Sequence, residues 1–426
     1  MNVFTALFTA LVAAGATLEL WLAGRQINAV RAHREHVPEP FAGEISLEAH
    51  RKAADYTVAK ARLGRIATLI DGLITLGLTV GGGIAALDAL WRRTGWAEPW
   101  LGLAVIASVA AGVVLVNLPL SLWRTFRLEA RFGFNRTTVP VFLTDLLKQI
   151  TLAAVLGGPL VLAALWLMMR AGAVWWLWAC GGCVALMLAL SWAWPVLIAP
   201  LFNRFSPLAD PALRARIDAL LARCGFHSSG VFVIDGSRRS AHGNAYFTGF
   251  GRHKRIVFFD TLLQDLEPPE IEAVLAHELG HFRLHHVRSM MAVSIATLVV
   301  LFALLGWLAR QSAFYTALGV PHPSPHAALL LFALAAPVVL QFTTPLGAMW
   351  SRRHEFQADR FAARHADARQ LVSALVKLYR SNASTLTPDR LYAAVHYSHP
   401  PATERIARLR RSEPQTGAIR PGDTVI

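Results

Sequence analysis

Seven apolar runs, each long enough to cross a bilayer, constrain what this chain can fold into more than any other feature. A transmembrane helix needs about 20 mostly apolar residues. Runs of that length are Val3–Gly24, Ile66–Leu90, Trp100–Trp123, Ile150–Met169, Val174–Leu201, Met290–Ala309 and Ala327–Trp350. The composition agrees, because 54% of the residues are hydrophobic and only 16% are charged, against about 25% in soluble proteins. We therefore predict a multi-pass membrane protein.

The first run and two carboxylates inside the runs bear on how the helices sit in the membrane. Val3–Gly24 lacks the basic segment and cleavage site of a signal peptide, so we expect a retained helix. Glu19 and Asp71 lie within apolar runs, where carboxylates usually face a protein interior or a water-filled space. A nearby helix end or polar neighbour would also satisfy them, and neither is assigned a catalytic role.

The formal net charge of +14 could reflect nucleic-acid binding or membrane topology. The sequence has no basic groove pattern interleaved with aromatic residues, so we expect no nucleic-acid partner. The connections 25–65 and 124–149 contain thirteen Lys and Arg residues, whereas the alternate connections 91–99, 170–173 and 310–326 contain four. Because basic connections stay in the cytoplasm, the N-terminus is predicted outside and the C-terminus inside.

Between the fifth and sixth runs the sequence changes to that of a small α+β unit. Pro207–Phe226 has apolar residues at helical spacing, and Gly230–Ile234 is a short β-branched run that ends at a turn signal. Asn244–Gly251 and Arg255–Phe259 are predicted to be two strands joined by the polar turn Gly251–Lys254.

The most specific chemical signal is the H-E-x-x-H pattern at His277-Glu-Leu-Gly-His281. Residues four apart on a helix share a face, so His277 and His281 can direct two imidazoles at one metal ion. Glu278 can act on a water there without ligating the metal, an arrangement typical of zinc hydrolases. Two satisfied core histidines are the alternative, which leaves the glutamate unexplained. The helix is predicted from the start signal Pro268-Pro269-Glu270 and from the spacing of Ile271, Val274, Leu275 and Leu279.

A third ligand is needed, because catalytic zinc usually has three protein ligands and one open position. Glu355 is the candidate, and Asp359, one helical turn later, can fix the tautomer of a ligating histidine. His354 competes for the ligand role but points about 100° away from that face, and an ordinary charged helix face is the other alternative. His285 and His286 break the ligand spacing and are expected to be solvated or interfacial.

Five stretches in order along the chain carry a resemblance to a known family. They are Glu129–Asn135 (E-A-R-F-G-F-N), Ser240–Gly249 (S-A-H-G-N-A-Y-F-T-G), His277–His281, Glu355–Asp359 and Ser398–Ile406 (S-H-P-P-A-T-E-R-I). The chain resembles the CAAX prenyl protease 1 family of multispanning zinc metalloendopeptidases over nearly its whole length. Gly243 departs from this pattern, since eukaryotic members tend to carry serine there.

The resemblance implies a mainly α fold, in which seven transmembrane helices enclose a chamber and carry a small gluzincin-like α+β zinc protease unit. It implies that His277, His281 and Glu355 bind one zinc ion and that Glu278 is the general base. His399 is then an oxyanion donor, with a turn residue before Pro400 as the alternative. The implied substrate contacts are Asn244 and Ala245, on an exposed strand edge, and Arg405, for a carbonyl or carboxylate.

We divide the chain into four parts on this basis. They are a membrane region of five helices at 1–201, a cytoplasmic protease unit at 202–289, transmembrane helices six and seven at 290–350, and a C-terminal segment at 351–426 that supplies the third ligand.

The predicted function is hydrolysis of peptide bonds in membrane-associated or prenylated CAAX-type substrates. The expected partners are a peptide or protein substrate, with or without an attached lipid, and membrane lipid. The excess of Arg over Lys and the many Ala and Trp residues suggest a bacterial inner-membrane protein. Many bacteria lack prenylation, which favours the broader substrate class. The alternative functions are a non-catalytic seven-span scaffold or transporter with a residual metal site, and a metal sensor or store.

Overall fold

The computed structural model describes residues 2–226, 228–248 and 255–411, and most of these are helical. The α-helices of this part are Val3–Ala32 (α1), Leu47–Leu78 (α2), Gly83–Arg92 (α3), Trp100–Trp123 (α4), Val139–Arg170 (α5), Trp175–Ala193 (α6), Ala199–Phe202 (α7), Pro211–Arg223 (α8), Asp260–Asp265 (α9), Pro268–Arg283 (α10), His286–Leu308 (α11), Ser312–Ala317 (α12), Pro325–Leu340 (α13), Thr344–His365 (α14), Ala368–Ser381 (α15), Arg390–His396 (α16) and Ala402–Arg411 (α17). π-Helical turns extend α4 through Glu129 and join α6 to α7.

The described chain contains six helical segments long and apolar enough to cross a membrane. They are Val3–Ala32, Trp100–Glu129, Val139–Arg170, Gly172–Phe202, His286–Leu308 and Pro325–His365. A seventh crossing results if α2 and α3 count as one span, and these two helices meet at a bend of 50°. The predicted membrane fold is thereby confirmed.

The bend lies inside the predicted second run, Ile66–Leu90. Three consecutive glycines occupy the break, and Gly82 has a φ of 77°, a left-handed conformation that glycine adopts without steric cost. Glycine also lacks the side chain that would stabilise a continuous helix here. The run is therefore two helices.

In the described chain, a four-stranded sheet lies between the membrane segments Gly172–Phe202 and His286–Leu308. Its strands are Phe205–Pro207 (β1), Val231–Ile234 (β2), Ala245–Thr248 (β3) and Arg255–Phe259 (β4), in the spatial order β1-β2-β4-β3. β4 pairs in parallel with β2 and antiparallel with β3, so β3 is an edge strand. β1 is not predicted from the sequence. The predicted turn at 251–254 lies outside the described residues.

One hydrophobic core joins this sheet to the C-terminal helices. It contains Ile217 and Leu220 from α8, Phe258 from β4, Leu275 and Leu279 from α10, Leu371 and Leu375 from α15, and Ile406 from α17. Phe41, from the connection after α1, is completely buried in it. The residues on either side of the last two membrane segments therefore form one packed unit, and burial of their apolar side chains holds the site together.

Candidate active site

Helix α10 places two histidines one turn apart. A capping box between Glu267 and Glu270 begins the helix at Pro268, which needs no hydrogen-bond partner for its nitrogen. In the last two turns of α10, His277 and His281 have their ring centroids 5.0 Å apart. Their Nε2 atoms are separated by 3.3 Å. Both nitrogens thus point at the same small volume.

Helix α14 brings a carboxylate to that volume because it packs closely on α10. A Cβ atom at Gly280 would lie 3.0 Å from Cα of Ala358, tighter than most contacts of this kind. Glu355, one turn earlier on α14, places its Oε2 3.4 Å from Nε2 of His277. Its Oε1 lies 3.3 Å from Nε2 of His281. Glycine in the H-E-x-x-H pattern therefore allows the backbone approach that assembles the three side chains.

These three side chains fit a metal ion. The ligand atoms of His277, His281 and Glu355 lie within 4.8 Å of one another. Oε2 of Glu355 is buried and has no hydrogen-bond partner in the described part of the chain, and a buried carboxylate oxygen without a partner is costly. Two imidazole nitrogens and one carboxylate are also the donor set of many catalytic metal sites. His354, the alternative ligand, lies outside this group and stacks on His286 instead.

Asp359 fixes the orientation of the first histidine. Its Oδ1 lies 2.9 Å from Nδ1 of His277, which places the proton on Nδ1 and leaves Nε2 free to ligate. Arg405 donates to the same carboxylate from Nε at 2.9 Å and from Nη2 at 2.6 Å. The predicted place of Arg405 in the substrate cleft needs correction, because only 7% of its side chain is exposed and two of its nitrogens bind Asp359.

His286 orients the second histidine, and the expectation that it would be solvated or interfacial is wrong. It is buried, and its Nδ1 lies 3.1 Å from Nδ1 of His281. Its Nε2 lies 2.8 Å from Oε1 of Gln357, an acceptor. The protons are therefore ordered, since His281 donates from Nδ1 to His286, and His286 donates from Nε2 to Gln357.

Helical spacing could not have predicted this contact. The chain turns at His285, whose φ of 60° separates α10 from α11. The five-residue interval from His281 to His286 was therefore no guide to their separation in space.

The electrostatics of the site favour a cation. Burial alone would lower the pKa of His277, but its contacts with the carboxylates of Asp359 and Glu355 raise it to about 9. The same carboxylates create a negative field that favours a positive charge between the imidazoles. Burial raises the pKa of Glu278 above its usual range, against the influence of His277 and His281. A carboxylate with a raised pKa is a better proton acceptor.

A cavity of about 510 Å³ adjoins the site, and His399 lines it. Nε2 of His399 lies 3.4 Å from Oε1 of Glu355, and 63% of its side chain is exposed. Glu19 lines the same cavity, with Oε2 3.3 Å from Nε2 of His396. Glu19 thus has both the interior space and the polar neighbour that the sequence suggested as alternatives. Asp71, by contrast, is exposed.

The edge strand β3 presents the predicted substrate contacts. Asn244 immediately precedes the strand and is exposed, and its Oδ1 accepts from the backbone N–H of Ala245 at 2.8 Å. Ala245 lies opposite Phe258 on β4. β3 packs against α10 through Phe247 and Phe282, whose ring centroids are 5.1 Å apart. The strand therefore borders the helix that carries the histidines.

A multi-pass membrane metallopeptidase is the class of protein that this fold and site define. Comparisons with known proteins agree. Residues 26–204 match the family model described as CAAX prenyl protease N-terminal, five membrane helices, and residues 207–413 match the model of peptidase family M48. The chain belongs to peptidase family M48.

Individual relatives cover nearly the whole chain. The CAAX prenyl protease 1 homolog of Arabidopsis thaliana is 35% identical over 93% of this chain and 95% of its own length. CAAX prenyl protease 1 of Saccharomyces cerevisiae is 33% identical over 92% of each chain. The crystal structure of S. mikatae Ste24p superposes with a TM-score of 0.87 at 31% identity, over 96% of this chain and 99% of that one.

Proposed function

We propose that this chain is a zinc endopeptidase in which His277, His281 and Glu355 hold a single zinc ion and Glu278 is the general base. The observation that carries the proposal is the spacing of the ligand groups. The Nε2 atoms of His277 and His281 are 3.3 Å apart, Oε2 of Glu355 lies 3.4 Å from Nε2 of His277, and its other oxygen, Oε1, lies 3.3 Å from Nε2 of His281. Zn–N and Zn–O bonds of about 2.0–2.1 Å in tetrahedral arrangement separate neighbouring ligand atoms by about 3.3 Å. The imidazole pair and each imidazole–carboxylate contact are close to that value, which supports zinc as the bound ion.

The chain's own residues account for the proton transfers. Zinc supplies Lewis acidity toward a water molecule and the scissile carbonyl. Glu278 accepts the proton of the attacking water and delivers it to the leaving amine. His399, exposed in the cavity beside Glu355, donates to the oxyanion that develops on the carbonyl oxygen. Asn244 and Ala245 hold the substrate backbone at the edge of β3.

The substrates we propose are peptides at a membrane surface, with CAAX-type C-termini as one class. The relatives' names, which include CAAX prenyl protease 1, support that class. Pairing along a strand edge gives affinity with little side-chain selectivity, which suits the broader class of membrane-associated peptides. Lipid attached to the substrate and lipid of the bilayer are the proposed non-protein partners, and no nucleic acid is proposed.

The proposed orientation places the N-terminus outside the cytoplasm and the catalytic unit inside it, in a bacterial inner membrane. The basic connections 25–65 and 124–149 support this orientation. We retain the division at 201, 289 and 350 into membrane and catalytic parts. The shared core indicates that 202–289 and the C-terminal segment act as one catalytic unit.

The test is zinc content and peptide hydrolysis of the detergent-purified protein, wild type against Glu278→Gln and Glu355→Ala. Glu278→Gln should retain zinc and lose about 10²–10⁴-fold in kcat, because the proton acceptor is gone. Glu355→Ala should lose zinc. Full activity in Glu278→Gln, or full zinc occupancy in Glu355→Ala, would contradict the proposal. A farnesylated and an unmodified version of one peptide, compared at equal concentration, separate the two substrate classes.

A further inference from the structure

Two segments, Glu129–Asn135 and Ser240–His242 at the start of the motif Ser240–Gly249, contribute nothing to the metal site, yet the structure brings them together. Asn135 and Ser240 form an isolated antiparallel bridge. The second of these segments leads through Gly243 and Asn244 into the edge strand β3. The residues that precede β3 in the chain are therefore held against the end of the segment Trp100–Glu129.

Further contacts hold these residues before β3 in place. The ring of Phe134 stacks on His242, with centroids 4.3 Å apart and planes inclined by 18°. Nδ1 of His242 lies 3.1 Å from Oδ1 of Asn382, which also accepts from the backbone N–H of Gly243 at 3.1 Å. Side chains from three parts of the chain thus converge on one short segment.

A second cavity, of about 500 Å³, lies over this segment. Lys60, Arg124, Glu129 and His242 are among its lining residues. Lys60 and Ser384 line both this cavity and the one beside His399. Lys60 is therefore the cationic group where the two cavities meet, and His399 connects the first of them to Glu355.

The second cavity has an excess of positive charge. Within the described ranges, neither Lys60 nor Arg124 has an ion-pair partner, and Nζ of Lys60 lies 4.2 Å over the ring of Tyr56. Glu129 is the acid among the named lining residues, and its two oxygens accept from the hydroxyl of Tyr56 at 2.9 and 2.8 Å. Arg239, also in the lining, is already bound by Asp145. Lys60 and Arg124 thus face one carboxylate, that of Glu129, which attracts Lys60, and the lining keeps one net positive charge for an anionic ligand.

The direction of the strands predicts which end of a substrate reaches this cavity. Strand pairs are antiparallel two to three times as often as parallel. A peptide that pairs antiparallel with β3 runs from Thr248 toward Ala245. Its C-terminal residues then continue past Asn244 toward the segment 240–243 and the cavity above it.

We propose that Lys60 and Arg124 bind the C-terminal α-carboxylate of a substrate peptide. This inference rests on the proposed peptidase function and deepens it. A CAAX motif is the last four residues of a protein, so cleavage after its cysteine leaves three residues and a terminal carboxylate beyond the scissile bond. Three extended residues span about 10 Å. The cavity therefore selects substrates by where their chain ends, in addition to any attached lipid.

The test uses one peptide in two forms, a free C-terminal acid and a C-terminal amide, cleaved by the full-length protein in detergent. The wild type should prefer the acid in kcat/KM by about tenfold to a hundredfold, the range expected of charge-assisted hydrogen bonds. In Lys60→Met, and more so in Lys60→Met with Arg124→Gln, the acid-to-amide ratio should fall toward one. Lys60→Arg should restore much of the ratio, because it restores the charge.

Arg51→Met is the matched control, since Arg51 is exposed on the same helix and lies outside the lining of both cavities. It should keep the wild-type ratio. A wild type that cleaves acid and amide equally, or a Lys60→Met variant that slows both equally, would overturn the proposal. Failure of the peptidase function itself would look different, because Glu278→Gln would then cleave both forms as fast as the wild type.

Discussion

Arg405 donates two hydrogen bonds to the carboxylate of Asp359, and Asp359 in turn lies 2.9 Å from Nδ1 of His277. All three side chains are at least 90% buried. The guanidinium therefore acts on a proposed zinc ligand through one intervening carboxylate. We conclude that Arg405 is a positioning residue.

Replacing Arg405 with methionine should weaken zinc binding by about 10–100-fold, the usual cost of losing an outer-shell partner. Arg405→Lys should recover only part of this, because an ammonium cannot reproduce a two-point contact with a carboxylate. Zinc affinity is measured by competition with a chelator. Arg411→Met, on the same helix but exposed, is the control. Unchanged zinc affinity with a raised KM would instead make Arg405 a substrate contact.

The contact of His286 with His281 leads to a second prediction. His286→Ala removes the acceptor for Nδ1 of His281, so the ring loses its fixed tautomer, and zinc affinity should again fall by about 10–100-fold. Gln357→Leu should have a smaller effect in the same direction, since it acts one bond further away. His285→Ala, next in the chain but exposed, should bind zinc like the wild type. If His286→Ala and Gln357→Leu bind zinc as tightly as His285→Ala and the wild type, the hydrogen bonds from His281 through His286 to Gln357 do not strengthen zinc binding.

The sequence predicted those parts of the molecule that depend on local spacing. The four-residue interval between His277 and His281 specifies a shared helix face, and Glu355 and Asp359 repeat it on α14. Both faces are present in the structure. Long apolar runs predicted the membrane helices for a similar reason, because length and composition alone decide whether a helix can span.

Other features escaped prediction because they depend on how distant segments pack. The role of His286 results from a turn at His285, and the burial of Arg405 results from α17 folding back onto α14. β1 has three residues, too few to show strand alternation. Phe41, from the connection between α1 and α2, is buried in the hydrophobic core that joins the sheet to the C-terminal helices. No local sequence pattern indicates this burial.

His399 provides a third prediction. It lies 3.4 Å from Glu355 yet keeps most of its side chain exposed to the cavity, so we expect it to act on the reacting substrate. His399→Ala should lower kcat by about 10²–10³-fold, as loss of an oxyanion donor does, while zinc content stays at the wild-type level. Steady-state kinetics with a metal assay on the same sample checks both. A variant that loses zinc would make His399 a structural support.

Glu270 provides the last prediction, which concerns stability rather than catalysis. Its carboxylate accepts from Ser373 at 2.6 Å, from Lys377 at 2.8 Å and from the backbone N–H of Glu267 at 2.7 Å. Burial raises the pKa of Glu270, but these hydrogen bonds and the charge of Lys377 outweigh it and hold the pKa below its usual range.

The sign of the pH effect follows from that depressed pKa. The unfolded chain has a glutamate pKa of about 4.3, so the contribution of Glu270 is fully present above that value and is lost as pH falls through the lower folded pKa. At pH 7, Glu270→Gln should lower the free energy of unfolding by about 1–3 kcal/mol, because Lys377 loses its charged partner. The difference in Tm between wild type and variant should narrow on acidification below pH 4. Glu404→Gln, an exposed substitution on α17, should change Tm little at any pH. A Tm difference for Glu270→Gln that does not change between pH 7 and pH 3.5 would show that its charge contributes nothing to joining α10 to α15.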